Sequence, residues 1–314
     1  MFLFHIRYAS CRFLLILALV LAVIIAMHGM ALAAKPKQMS FESPEAAVEA
    51  LAKALRDNDE KTLLTLFGPG SETVISSGDK VDDRERREKF VRFYGEKNRL
   101  EIAGDKKVIL HLGNNDWPFP IPIVKAGESW RFDTKQGREE IINRRIGENE
   151  LGTIQTCLAI ADAQREYASI DRDGDGLLEY AQKFKSAQGK KDGLYWDVAP
   201  GEPPSPLGPL VAQAQSEGYM KGGNPAPYNG YFFRILTAQG KSAKGGAYSY
   251  LVKGKMVGGF AIVAYPAVYA SSGVKTFIVS HEGVVYEKDL GQRTTKMAKS
   301  MKAFDPDKTW KKAE

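Results

Sequence analysis

The sequence predicts an α+β protein of two units, and three observations carry that expectation. Apolar residues recur at helical spacing over residues 41–68 and again over 136–169. A proline-laced apolar alternation, WPFPIPIV at 117–124, runs into a turn and a second alternating stretch. Strand-like segments between 231 and 287 close on a hairpin. With 314 residues, 44% hydrophobic and 26% charged, the chain is long enough for two ordinary domains and can bury real cores.

Residues 1–33 have the pattern of a signal peptide. Arg7 and Arg12 precede an apolar run of 15 residues, Phe13 to Met27, and Ala31-Leu32-Ala33 offers small side chains to a peptidase. Cleavage is expected after Ala33. The competing reading is an uncleaved anchor, which wants about 20 apolar residues. Cys11 precedes the apolar run, where a lipoprotein cysteine would follow it, so no lipid anchor is expected. The predicted compartment is periplasmic or extracellular, with no transmembrane span after cleavage. Cleavage leaves 42 basic against 38 acidic residues, a net +4. That mild charge allows loose attraction to anionic envelope surfaces and is not a nucleic-acid footprint. Cys157 is then the one remaining cysteine, so no internal disulfide is expected. It shares a helical face with Ile154, Leu158 and Ala161 and is expected to pack as a small apolar residue.

The elements follow in order. Ser43 is placed to cap a helix with Pro44 at its first position and Glu45 and Glu49 near its positive end. Ala47, Val48, Leu51, Ala54 and Leu55 form its apolar stripe. A second short helix carries Leu63, Leu64, Leu66 and Phe67 and stops at Gly68-Pro69-Gly70; a more charged helix follows over 83–93. In WPFPIPIV, Pro118, Pro120 and Pro122 remove donors from one edge and leave the other able to pair. That predicts an edge strand. A polyproline segment for a partner groove is the alternative. The turn at Lys125 to Glu128 returns the chain into Ser129 to Asp133. Residues 136–169 are helical, with Gly147 or Gly152 expected to break or bend the helix, and the domain boundary is set there: 34–146 and 147–314. The Gly/Pro-rich stretch 189–230 holds one short helix, 207–217. Strands are expected at 231–238, 248–252 and 259–265, then a hairpin of 276–280 and 284–287 around His281-Glu282-Gly283. A basic helical tail places Lys296, Lys299 and Lys302 on one side.

Two resemblances attach to these residues. Ser43-Pro44-Glu45-Ala46 with its helix pair, and Gly127-Glu128-Ser129-Trp130-Arg131-Phe132-Asp133, resemble the start and end of an NTF2-like cone, which implies helices on a curved antiparallel sheet. Asn149-Glu150-Leu151, Ile154-Gln155, Ala163-Gln164-Arg165-Glu166-Tyr167 and the closing Gly273 to Tyr286 resemble the globular part of a type IV pilin or type II secretion pseudopilin. That implies a pilin-like long helix packed on an antiparallel meander. The flank Arg144-Arg145-Ile146-Gly147-Glu148 is polar where a pilin has a long apolar helix, so only the fold carries over. Over nearly the whole mature chain, including DRDGDG with Glu179-Tyr180-Ala181 and Lys191 to Trp196, the sequence is similar to the domain of unknown function 2950 family of secreted bacterial proteins. That resemblance implies no established activity or substrate.

The stretch DRDGDGLLEY at 171–180 bears on metal binding. Asp171, Asp173, Asp175 and Gly176 match the first half of a calcium loop, D-x-[DN]-x-[DN]-G-x₅-E. Leu177 would give a carbonyl, Glu179 the ninth position and Gln182 the twelfth, where a bidentate glutamate belongs. An amide there lowers affinity. Hard carboxylate oxygens at alternate positions suit Ca²⁺ far better than zinc or copper. The competing reading is a solvated turn, since Asp and Gly are turn formers.

No G-x-G-x-x-G, Walker loop, H-E-x-x-H or paired cysteines occur, and His111 and His281 are the two histidines after Ala33. His281 is expected in an exposed hairpin and His111 on one face of a strand. The sequence therefore predicts no catalytic or cofactor-binding residues. The expected function is a non-enzymatic binding or scaffold protein of the envelope, calcium-stabilised, with an envelope protein or polysaccharide as partner. The alternatives are a small-ligand binder or hydrolase with a pocket near Trp117 and Trp130, and an accessory component of a pilus or type II secretion system.

Overall fold

The computed structural model describes residues 38–219 and 226–313. The signal peptide and its cleavage point after Ala33 lie outside the described residues. The N-terminal unit opens with α1 (Pro44–Arg56), α2 (Glu60–Phe67), α3 (Glu72–Ile75) and α4 (Lys80–Glu96). Ser43 caps α1 as expected: its Oγ accepts the Ala46 amide at 3.1 Å. Asp79 caps α4, which starts earlier than its charge pattern announced. Strands β1 (Asn98–Ile102), β2 (Lys107–Leu112), β3 (Trp117–Pro118), β4 (Ile123–Ala126) and β5 (Ser129–Phe132) form one antiparallel sheet in the order β1-β2-β4-β5, with β3 also on β2.

The proline-rich segment departs from the expected edge strand. It splits into β3 and β4, and β4 is interior, paired to both β2 and β5. The donor argument holds locally, because the Phe119 amide reaches the Leu110 carbonyl at 2.7 Å. From Ile123 onward no proline intervenes, so both edges carry donors and both pair. The proline-blocked edge is covered by the first turns of the next helix.

That helix, α5 (Thr134–Tyr167), is one unbroken run of 34 residues. Gly147 and Gly152 lie within it, so the expected break is not formed and the boundary drawn at Gly147 falls inside a continuous helix. Each glycine costs about 1 kcal/mol in a helix interior, and packing on both units outweighs that cost. Gly137 is required: a Cβ there would stand 2.3 Å from the Pro120 carbonyl oxygen.

The C-terminal unit adds α6 (Gly208–Ser216), β6 (Tyr231–Leu236), β7 (Ala238–Gln239), β8 (Tyr248–Ser249), β9 (Leu251–Val252) and β10 (Lys255–Met256). It continues with β11 (Ala261–Pro266), β12 (Lys275–Ser280), β13 (Val285–Asp289), α7 (Thr294–Ser300), β14 (Ala303–Phe304) and β15 (Lys311–Lys312). Its main sheet is antiparallel, ordered β15-β13-β12-β11-β6, and α5 packs on β11 and β12. The expected hairpin forms with Gly283 at φ +77°.

Two apolar cores result. The first gathers Leu51, Leu66, Leu110, Ile121, Ile123 and Phe132, and the second Cys157, Ile160, Tyr231, Phe260, Val263 and Phe277. Between them runs a seam of buried polar side chains. Asp79, 1% exposed, accepts the Tyr219 hydroxyl and the Gly230 amide, each at 2.9 Å, on one oxygen. Its other oxygen takes the α4 amides of Val81 and Asp82. Burial pushes this carboxyl above its ordinary value, against the pull of those donors. From the middle of α5, Arg145 donates to the Thr73 and Val74 carbonyls at 2.7 Å each, and Asn149 donates to the Ser272 carbonyl at 2.9 Å.

Two outcomes follow for stability. Gly137→Ala is expected to lower the melting temperature well beyond a Gly147→Ala control, whose Cβ would meet open space. Overpacking against backbone costs about 1–3 kcal/mol, whereas Ala at an exposed helical site gains about 1 kcal/mol. Asp79→Ala strands the Tyr219 hydroxyl and the Gly230 amide, at about 1–3 kcal/mol per stranded group. Denaturant unfolding monitored separately on Trp117/Trp130 and on Trp196/Trp310 should then show the two units parting into separate transitions.

Candidate functional site

Three places bring chemically capable side chains together. The first is the aspartate loop. Asp171, Asp173 and Asp175 present carboxylate oxygens within 4.8 Å of one another. Asp171 accepts the Gly174 and Gly176 amides at 2.8 Å each, and these glycines take φ +75° and +84°. Asp175 accepts the Leu177 amide at 3.0 Å. The positive charge at the centre is Lys255, from β10 on the other side of the loop. Its Nζ lies 2.7 Å from Asp173, in contact with Asp175 and 3.6 Å from Glu179. Gln182 turns away and donates to the Gly254 carbonyl. Residues 177–180 after the loop form neither helix nor strand, and the Tyr180 amide donates to the Met256 carbonyl at 2.8 Å.

The donor set is hard oxygen and converges, so it fits a calcium ion in chemistry. The twelfth-position ligand and the second helix of a calcium hand are missing, and Lys255 already offsets one of the carboxylate charges. Hydrogen bonds from backbone amides hold Asp171 below the usual carboxylate range, and Lys255 does the same for Asp175.

The second place is a groove on the outer face of the N-terminal sheet, with a volume of about 220 Å³. Lys107 and Ile109 alternate along β2 with Val108 and Leu110, which point into the core. Pro118, Phe119, Pro120 and Pro122 form one wall; Gln136, Glu140 and Arg144, spaced by one helical turn on α5, form the other. Arg144 bonds Glu140 at 2.6 Å and lies over the Trp117 ring at 5.3 Å. Lys107 enters no ion pair among the described residues. The opposite side of the sheet is filled by core side chains: Ile121 and Ile123 are 0% exposed and Leu110 1%. The pocket expected near Trp117 and Trp130 is thus displaced to the outer face, with Trp117 at its margin.

The third place surrounds the histidines. His111 stands across β1–β2 from Arg99, with its Nδ1 3.0 Å from the Asp116 carbonyl and Arg99 Nη2 at 3.2 Å. Glu101 Oε2 approaches Nε2 at 3.1 Å without hydrogen-bond alignment. His281 packs edge-on to Tyr250 and Phe260. Neither imidazole bonds a serine, threonine or cysteine among the described residues. Cys157 is fully buried, and burial pushes its thiol up to about 12, which leaves it unreactive at neutral pH. Neither Lys255 nor the groove is marked by a local sequence pattern. Lys255 is 82 positions from Asp173, and no local pattern links them.

The loop makes a testable prediction. Asp175 should titrate below the free aspartate value of about 3.9 in an NMR carboxyl titration, and Lys255→Met should move it back up. Because the folded value is depressed, the Lys255–Asp175 contribution to stability is present above the ordinary aspartate range. It is lost as pH falls through the folded value. Lys255→Met should also tighten calcium binding measured by calorimetry, since the competing internal cation is gone.

No curated protein and no solved structure matches the chain, so the cone-like and pilin-like likenesses find no support there. No helix among the described residues is long and apolar enough to cross a membrane. A family match runs over residues 38–313, from the chain leading into α1 to the end of β15, with both cores, the seam, the groove and the aspartate loop inside it. The chain belongs to the family described as Protein of unknown function (DUF2950).

Proposed function

We propose that this protein is exported and works as a non-enzymatic binding or scaffold protein of the bacterial envelope, with the groove of the N-terminal unit as its contact point. The groove carries the reading. It is built from rigid parts: a proline-rich wall and the first turns of a long helix, locked at Gly137. Its lining mixes proline rings, Phe119 and Ile109 with Lys107, Gln136, Glu140 and Arg144. A binding site for a whole drug-sized molecule takes about 300–1,000 Å³ and encloses most of it. At about 220 Å³, this groove fits one side chain or one sugar unit presented by a larger partner. That size favours an envelope protein or polysaccharide over a small-molecule substrate.

Calcium belongs to the same reading as a structural ion. Asp171, Asp173 and Asp175 would hold it, with Glu179 nearby, and Lys255 would be displaced. Calcium would fix the exit of α5 and the loop that follows it, in place of the tie to the β9–β10 hairpin that Lys255 makes at low calcium.

The test is a pull-down from envelope extracts with the wild type and with an Ile109→Arg, Lys107→Glu double variant. Partners retained by the wild type should be lost by the variant. Equal recovery on both would overturn the groove assignment. Signal cleavage is checked by N-terminal sequencing of the exported chain, expected to begin at Ala34.

A further inference from the structure

We infer that α7 and its flanks form a docking face for an anionic phospholipid bilayer. The stretch from Gly291 to Phe304 carries Arg293, Lys296, Lys299 and Lys302 and no acidic residue. Thr294 and Ala298, both 0% exposed, seat the helix on β11, which brings no charge to the contact. Lys296 and Lys299 lie on the opposite side of the helix, and all four cations are exposed. None of the four enters an ion pair among the described residues. The acids at either end of the stretch bond backbone amides and none of the four cations: Asp289 accepts the Gly291 amide at 2.7 Å, and Asp305 accepts the Ser242 amide at 2.8 Å.

The face is also held rigid. Arg234 of β6 donates to the Ala298 carbonyl at 2.7 Å and to the Met301 carbonyl, closing the helix C-terminus with a cation. Met297, one turn from Arg293 and next to Lys296 in sequence, flanks the basic face and is 42% exposed. An exposed apolar side chain at the border of a basic face selects between anionic partners. A bilayer takes up the methionine at the headgroup boundary while the ammonium groups stay at the phosphates. A soluble polysaccharide offers the charge and no apolar phase. Three of the four cations are lysines, which act as point charges suited to a diffuse anionic surface rather than to bidentate recognition of one group. The inference stands apart from the groove, which lies on the other unit.

The test is vesicle co-sedimentation of the chain from residue 34, which contains both cores. Vesicles of phosphatidylglycerol and phosphatidylcholine in equal parts should bind the protein at low salt; pure phosphatidylcholine should not, and high salt should release it. Each neutralised lysine is expected to lower partition about fivefold at low salt, so Lys296→Gln, Lys299→Gln should lose about twenty-fivefold. Lys61→Gln, Lys89→Gln on the N-terminal unit should lose little. Met297→Ser should weaken binding further than its unchanged charge allows. Equal losses in both lysine pairs would overturn the inference. So would binding to dextran sulfate without binding to the vesicles. Circular dichroism establishes that every variant is folded.

Discussion

The buried seam at the middle of α5 is the constraint on which the rest of the structure depends. A carboxylate and a guanidinium removed from water must have their hydrogen bonds supplied by protein. Asp79 meets that demand with a hydroxyl and three backbone amides, drawn from α4 and from the loop before β6. Arg145 meets most of it with the Thr73 and Val74 carbonyls of α3, which take its two terminal nitrogens and leave Nε without a partner. These groups come from distant parts of the chain, so satisfying them fixes where the two cores stand. Glycines mark the close approaches: at Gly78 a Cβ would lie 2.6 Å from Val268, and at Gly230 it would lie 2.5 Å from Asn149.

With the seam in place, α5 is a common beam. Its first turns wall the groove, its middle carries Arg145 and Asn149, and its last turns pack Cys157 and Ile160 into the second core. The groove and the basic face of α7 sit on different units and are held in a fixed relation by that beam. A rigid body with two separate contact faces is what a scaffold needs, because neither contact then spends conformational entropy on ordering the other.

The aspartate loop shows how a chain can neutralise its own acidic cluster. Backbone amides take Asp171, and Lys255 supplies the cation that alternate carboxylates demand. A divalent ion at this place must displace a tethered ammonium, which is present at high effective concentration. The proposed calcium binding would therefore be a competition within the molecule as well as a matter of ligand count.

What the sequence determined by itself is local. The capped start of α1, the helical stripe of α5 and the hairpin at Gly283 rest on side-chain periodicity and on backbone preferences that act within a few residues. The convergence of Asp171, Asp173 and Asp175 was legible for the same reason. The groove was not: its two walls are adjacent in sequence, but the side chains that line it are chosen by which face of the sheet the core occupies. Tertiary structure alone decided that α5 stays unbroken through Gly147 and Gly152, that β4 lies inside the sheet, and that Lys255 closes the loop. It alone placed Asp79 opposite Tyr219, 140 positions away. Local propensities are worth fractions of a kcal/mol per residue, while packing and buried hydrogen bonds are worth several times that. Where the two disagreed, contacts between distant segments prevailed.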